Sequence, residues 1–413
     1  MKRFLNLLIY AACFSGLIMQ VSNLVATYLE RRTQVSQTEV PKRDLQFPAV
    51  TICVDFWTSK AKLCEIHRNN CSKRSMSIMT VMYLQNINAE LRNVSAFDPE
   101  DLFSCRLKGT GSCGIDVNCA DAIRMTSFRR PLQMCYTLDL TRKPQYACDE
   151  PWSLEVSLGT AVKPRDTIIF MRSQSVPVIL VEAGIAPLLE IPSVSLRPGY
   201  SHEVAIRQQK IKRLPAPFES DCVEYEPMGY QADMNGRHSM ESCVQQCLYQ
   251  QEFALCGCIT YTHEFVGSIG LPVCLNATRG FEYCKQLIIG GPGYRACYAK
   301  CRVPCREIRY DVKLARIAPI PDIEAAEKET NFRVKFRFST FNVEVLEVSP
   351  LINFQTLMAY MGATFGVWIG LSLIDILSWL ARRGLPIPFS ISLIKGGIFI
   401  PDEQHPILPK AAP

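Results

Sequence analysis

The chain has 413 residues, 48% of them hydrophobic, which is more than one compact core usually holds, so either several domains or one elaborate domain with membrane segments must be present. The net charge of +6 is small for that length, and the basic residues form no stripe with aromatic interleaving, which excludes nucleic acid as the expected partner. Five histidines, His67, His202, His238, His263 and His405, occur without an HExxH pair, a nucleophile elbow or a phosphate loop, so neither an enzyme nor a bound cofactor is expected.

The first feature in chain order is a predominantly apolar run over residues 4–28, long enough for a tilted spanning helix, preceded by Lys2 and Arg3 in a short N-terminus of residues 1–3. A signal peptide cleaved near Ser15-Gly16 is the alternative. Both readings place the cysteine-rich segment beyond this run outside the cell.

Of the 19 cysteines, Cys13 lies in this run and eighteen lie between Cys53 and Cys305. So dense a set reads as a disulfide framework formed in the secretory pathway. Zinc modules want two-residue gaps in matched pairs, which Cys256-Gly257-Cys258 and the Cys243/Cys247 pair do not provide, so no metal is expected. Three glycosylation sequons, at Asn70, Asn93 and Asn276, agree with an extracellular location.

Within residues 29–353 the pattern predicts mostly short strands, over 47–56, 167–172, the segment after Arg197-Pro198-Gly199, and 332–348. The clearest helix covers 239–251, with Ser239 and Ser242 as N-terminal caps and Cys243 and Cys247 on one face. Two cysteines on one face must bond to the same neighbouring segment, which predicts a ladder pinning this helix to a strand or loop.

A second apolar run, residues 354–381, ends at Arg382-Arg383, so its C-terminal end faces the cytoplasm and residues 382–413 form a Pro- and Gly-rich tail there. Gly362, Gly366 and Gly370 are four apart, one face of a helix where backbones can approach closely. Asp375 lies deep in the run. A carboxylate at mid-membrane costs at least about 2.5–3.5 kcal/mol, so it either faces water or a partner, or sits protonated or snorkelling near the inner interface.

Five segments in order carry a family resemblance: "FPAVTIC" (47–53), "CYTLD" (135–139), "CGC" (256–258), "PCREIRY" (304–310) and "GATFGVWIGLS" (362–372). They resemble the degenerin/epithelial sodium channel family, which includes acid-sensing and pickpocket channels. The resemblance implies an α+β membrane protein in which two transmembrane helices flank a large disulfide-rich ectodomain with a β-sheet palm and peripheral helices, assembled as a trimer. It further implies a stimulus-gated, amiloride-sensitive sodium channel in the plasma membrane with both termini cytoplasmic. Its partners would be sodium ions, the lipid bilayer, and identical or related subunits. The alternative is a non-conducting cysteine-rich receptor or accessory subunit.

The same resemblance implies the pairs Cys53–Cys135, Cys105–Cys113, Cys222–Cys305, Cys243–Cys301, Cys247–Cys297, Cys256–Cys284 and Cys258–Cys274. Cys64 with Cys71 and Cys119 with Cys148 would be left to pair. Gly370, Leu371 and Ser372 stand where the family has its selectivity filter, and Ala359, Gly362, Gly366, Asp375 and Ser378 would line the pore. Ala359 occupies the degenerin site, where bulk holds such channels open, and Tyr360 replaces the neighbouring acid of acid-sensing members. Ser378 replaces a usual acid, with Asp375 one turn earlier, and Leu371 is larger than the usual middle filter residue. The family's His-Gly gating motif precedes the first span and is not among residues 1–3. Phe218 resembles the aromatic wedged between ectodomain and pore, with Tyr28 as its candidate contact.

Overall fold

Along "RVKFRF" the side chains alternate, Val334, Phe336 and Phe338 turning inward and Arg333, Lys335 and Arg337 outward, as a strand with one buried face requires. This strand and its neighbours build the larger of two sheets in a computed structural model of the chain. The structure describes residues 2–41, 45–66, 89–109, 113–129, 133–142, 154–160, 162–169, 174–185, 192–225, 230–231, 236–237, 239–258, 263–265, 291–325 and 327–370. In chain order its main elements are α1 (Lys2–Leu29), β1 (Thr33–Pro41), β2 (Ala49–Val54), β3 (Phe103–Gly109), β4 (Asp116–Asn118), β5 (Ile123–Arg129), β6 (Gln133–Leu138), β7 (Leu154–Thr160), β8 (Val176–Val181), β9 (Val194–Leu196), β10 (Tyr200–Lys212), α2 (Met240–Cys256), β11 (His263–Phe265), α3 (Pro292–Lys300), β12 (Arg306–Pro319), β13 (Arg333–Phe338), β14 (Asn342–Pro350) and α4 (Phe354–Ile369).

Two units result: Arg32–Leu351, and a second formed by Met1–Arg31 with Ile352–Pro413, whose described residues are mainly the helices α1 and α4. In the first, an eight-stranded sheet runs β1-β14-β10-β13-β7-β3-β4, with β12 also on β10, and a six-stranded sheet runs β9-β8-β2-β6-β5-β11. Their inner faces share one core, in which Val204, Ile206, Val334 and Phe336 meet Val50, Ile52, Met134 and Tyr136. Edge-to-face pairs Phe47–Phe338 and Phe103–Tyr136 join the layers, at centroid distances of 5.8 and 5.2 Å. The expected mixed fold with a disulfide-rich sheet ectodomain is present.

Two expected elements differ. The run 332–348 is two strands, because the chain changes partners at Ser339: β13 pairs with β7 and the first half of β10, β14 with β1 and the second half. Ser339 N–H donates to Ile206 O at 2.9 Å and Asn342 N–H to Thr340 Oγ1 at 3.0 Å, which closes the break. The partner of the cysteine-bearing helix is itself a helix, α3, and not a strand or loop. Cys243–Cys301 and Cys247–Cys297 tie α2 and α3 antiparallel around Val244 and Leu248. Ser239 is the N-cap of α2 and Ser242 is the third helical residue that completes the capping box, so the two serines act as one device. Of the run 167–172, the structure describes a two-residue strand at Thr167–Ile168 and residue 169; 170–172 lie outside the described residues.

Cys53–Cys135 joins residues directly opposite on β2 and β6, and Cys222–Cys305 lies outside the sheets beside the isolated bridge Val223–Pro304. These and the α2–α3 pair match the pairs the resemblance implies; such bonds typically stabilise by about 2–4 kcal/mol each. Cys105 departs from it, bonding Cys119 instead of Cys113. The reason is register: in the β3–β4 hairpin Arg106 faces Asn118, which puts Cys119 beside Cys105, while Cys113 sits at the other end of the hairpin against Gly109. That bond also rules out Cys119 with Cys148. Cys64, Cys113, Cys256 and Cys258 are in disulfides too; Cys71, Cys148, Cys274 and Cys284 lie outside the described residues, as do Asn70 and Asn276. Asn93 is exposed on the short helix Ala89–Ser95.

His202 is buried in β10. Its Nε2 accepts the Arg197 N–H at 3.0 Å, which leaves Nδ1 to donate toward the Arg333 carbonyl at 3.3 Å. Burial holds its pKa below the usual value, against the opposing pull of backbone hydrogen bonds at Arg333 and Tyr200. Below about pH 6.5 the unfolded chain therefore takes up a proton that the folded chain refuses, and stability is lost as pH falls. Thermal unfolding of the full chain from about pH 7.5 to about pH 5.5 should show a falling midpoint, with a shallower fall in His202→Gln; parallel curves would remove His202 from the pH response. Peptide mapping without reduction should recover Cys105 linked to Cys119, and a Cys105–Cys113 peptide would contradict the hairpin register.

Candidate functional site

Helix α4 starts where the Asn353 side chain accepts the Thr356 N–H at 2.7 Å, and stops at Gly370, whose φ of +72° is left-handed. At about 100° per residue its side chains sort into two opposed faces. Leu357, Met361, Thr364, Phe365 and Trp368 share one face, on which Leu357 and Thr364 are buried. Ala359, Gly362, Gly366 and Gly370 share another, roughly 150° round the axis, and all four are exposed. A side chain built on Gly362 or Gly370 would meet nothing within 4 Å. Among the described residues the glycine face is therefore not the face that packs.

What packs is the other face, against α1, where Leu17 is buried. The contact centres on three residues to which the sequence alone assigns no role. The Trp368 indole N–H donates to Gln20 Oε1 at 2.6 Å. Its six-membered ring lies over Gly16, so that a methyl built there would stand 2.6 Å from Cη2. The remaining surface of both helices is strongly apolar: Phe4, Leu7, Tyr10, Met19, Phe354 and Val367 are 62–79% exposed. A pair of helices with that much uncovered hydrocarbon suits a bilayer. By length and composition α1 can cross one over Tyr10–Leu29. The second run is described to Gly370, and Leu371, Ser372, Asp375 and Ser378 lie outside the described residues.

The end of α4 has a chemistry of its own. The last four carbonyls of a helix have no intrahelical partner and carry the negative end of its dipole. Here the capping Gly370 N–H donates to the Gly366 carbonyl at 3.0 Å, the last helical hydrogen bond among the described residues. Such oxygens attract cations, and the glycines beside them remove steric cover.

In the sheet unit, β1 and β14 are the strands adjoining the two helices in sequence. They pair over their whole length, from Thr33 opposite Pro350 to Pro41 opposite Asn342. Glu39 faces Glu344 across this ribbon, and Arg207 on β10 reaches both, at 2.6 and 3.8 Å. Phe218 is half-buried in the turn after β10, its N–H donating to Pro215 O at 3.2 Å. Tyr28, in the helical unit, stacks under the Arg31 guanidinium at 4.7 Å.

The amiloride-sensitive sodium channel family model matches residues 1–377. Epithelial sodium channel subunit alpha of Anolis carolinensis is 21% identical over 361 residues, covering 78% of this chain and 54% of that protein. Subunit beta of Aquarana catesbeiana is 23% identical over 243 residues, 53% of this chain and 88% of that protein. The delta subunit of Homo sapiens is 22% identical over 303 residues, 65% and 36% respectively. The chain thus spans about half the length of the alpha subunits it matches. A solved structure of a proton-activated chloride channel superposes on 92% of this chain and 99% of that one, at 7% identity and a TM-score of 0.36, a distance at which the likeness decides nothing. With the match running from the first residue through α1, both sheets, the α2–α3 pair and α4, the chain belongs to the amiloride-sensitive sodium channel family.

Proposed function

We propose that this chain is a pore-forming subunit of a stimulus-gated, sodium-selective, amiloride-sensitive channel that carries sodium down its gradient. In this reading α1 and residues 354–381 span the plasma membrane, residues 29–353 face outward, and residues 1–3 and 382–413 are cytoplasmic. Three copies, identical or mixed with related subunits as the relatives' description as subunits suggests, place the second span around one axis.

The observation that carries this reading is the free face of α4. Ala359, Gly362, Gly366 and Gly370 are exposed on the side turned away from α1, and the helix ends in a left-handed glycine at Gly370. Converging on an axis, that face supports a narrow passage with no side chains in it, and the end of the helix offers carbonyl oxygens in place of part of the water shell of a small cation. Gly370, Leu371 and Ser372 form the constriction, with the Ser372 hydroxyl as a further ligand. Asp375, three residues on, repeats as a ring of acids that concentrates cations and repels anions, and Ser378 continues the lining. The paired strands β1 and β14, which adjoin both spans in sequence, carry the stimulus to the pore, with Phe218 and Tyr28 as coupling residues.

A non-conducting accessory subunit is the competing reading, and the free glycine face disfavours it, since a simple anchor has no use for one. Whole-cell recording separates the two. Ala359→Trp in the full chain should give sustained inward sodium current blocked by amiloride, and Asp375→Asn on that background should reduce it. Silence of Ala359→Trp with surface expression confirmed would sink the pore-forming reading.

A further inference from the structure

We infer that Gly16, Gln20 and Trp368 form a latch between α1 and α4 that sets the position of the last turn of α4 and hence of Gly370; as a positioning role it rests on the channel reading above. Gly16 and Gln20 are four residues apart, so they lie one turn apart on the same face of α1. Trp368 meets both. Its ring atoms Cη2, Cζ3 and Cζ2 would stand 2.6, 2.7 and 2.9 Å from any carbon attached to Gly16, closer than such atoms approach, so the ring seats there only because the position is glycine. Its single N–H donor points at Gln20 Oε1, 2.6 Å away. Shape fixes the separation of the helices and the hydrogen bond fixes their rotation.

The residue types argue that this is more than filling. A carboxamide within the apolar stretch Tyr10–Leu29 is costly in hydrocarbon unless it is paired, and polar side chains in such helices act as glue between neighbours. Phenylalanine would fill the notch as well as tryptophan does but offers no donor. Trp368 also stands two residues before Gly370, in the last turn of α4, on the face opposite the glycines. A shift of the indole on α1 therefore rotates the final carbonyls and Gly370 with it.

The test needs a readout of the contact and a separate readout of conduction. The full chain has four tryptophans, Trp57, Trp152, Trp368 and Trp379. Labelled with 5-fluorotryptophan in lipid nanodiscs, it gives one fluorine resonance for each, and Trp368→Phe assigns the one that disappears. Gln20→Leu and Gly16→Ala should move the Trp368 resonance, while Met19→Leu, on the exposed side of α1, should not. In single-channel recording, Gln20→Leu and Trp368→Phe should each shift the ratio of open to closed time about threefold, the effect of one interhelical hydrogen bond of average strength. The double variant should match either single one, because both remove the same bond. A Trp368 resonance indifferent to Gln20→Leu overturns the latch whatever the currents show. A resonance that moves while gating and unitary conductance stay at wild-type values reduces the contact to packing and overturns the positioning role. If the resonance moves and neither the wild type nor Ala359→Trp conducts, the contact stands and the channel reading fails, taking the positioning role with it.

Discussion

Strands β1 and β14 pair residue by residue over nine positions although more than 300 residues separate their ends in the sequence, and the Leu351 N–H closes the ribbon on the Arg32 carbonyl at 2.9 Å. The loop entropy of joining such distant segments grows only slowly with length, so the pairing is sustained by what lies beside it. That neighbour is β10, which runs parallel to β14 over Gln209–Lys212 and donates Arg207 to the ribbon. Like charges directly opposite on a ladder repel, and Glu39 opposite Glu344 is such a pair. Arg207 and the Gln37 amide, which donates to Glu344 Oε1 at 2.5 Å, turn that repulsion into a bonded cluster. Each such ion pair contributes at most about 1 kcal/mol, but the cluster ties three strands near the Pro41–Asn342 end of the ribbon, the end away from the residues that lead into the two helices.

Much of the fold was legible in the sequence because it is written in period two. Strands such as "RVKFRF" and "SHEVAIRQQ" alternate so regularly that burial follows from position. Where the expectation went astray, a local interaction overrode the pattern. The run 332–348 reads as one strand by alternation, and only the Ser339 and Thr340 hydrogen bonds reveal that it changes partners midway. Cysteines spaced by four called for one helix and an unspecified neighbour; the same spacing at Cys297 and Cys301 is itself a helical signal for that neighbour. The Cys105 pairing was out of reach because it depends on the register of a short hairpin whose second strand, Asp116–Asn118, is exposed throughout and so carries no buried-face pattern to fix that register.

The candidate site divides in the same way. Glycines at spacing four announce a face, and in α4 that face is left free among the described residues. In the sequence Gly16 is only a small residue near a candidate cleavage site, Gln20 a polar interruption, and Trp368 one more apolar residue. Each is uninformative alone. Their meaning lies in a pairing across two helices separated by some 350 positions in sequence, which no local window contains.

The opposed faces of α4 also explain how one helix can be both fixed and open. In the proposed membrane setting, a helix in hydrocarbon gains little from burying apolar side chains against another, since lipid is as apolar as the neighbour, so its position must come from close packing and hydrogen bonds. Concentrating those contacts on the face with Trp368 and Thr364 spares the opposite face from any packing duty. That face can then be made of glycine and alanine, at a cost of up to about 1 kcal/mol of helix propensity for each glycine. The cost is tolerable because propensity is not what holds the helix in place. Gly370 completes the arrangement: at φ +72° it is the position where any other residue would strain the backbone, and it caps the described helix there. In the proposed pore the negative end of the helix lies beside the glycines, and an ion held by carbonyl oxygens there has to be positive.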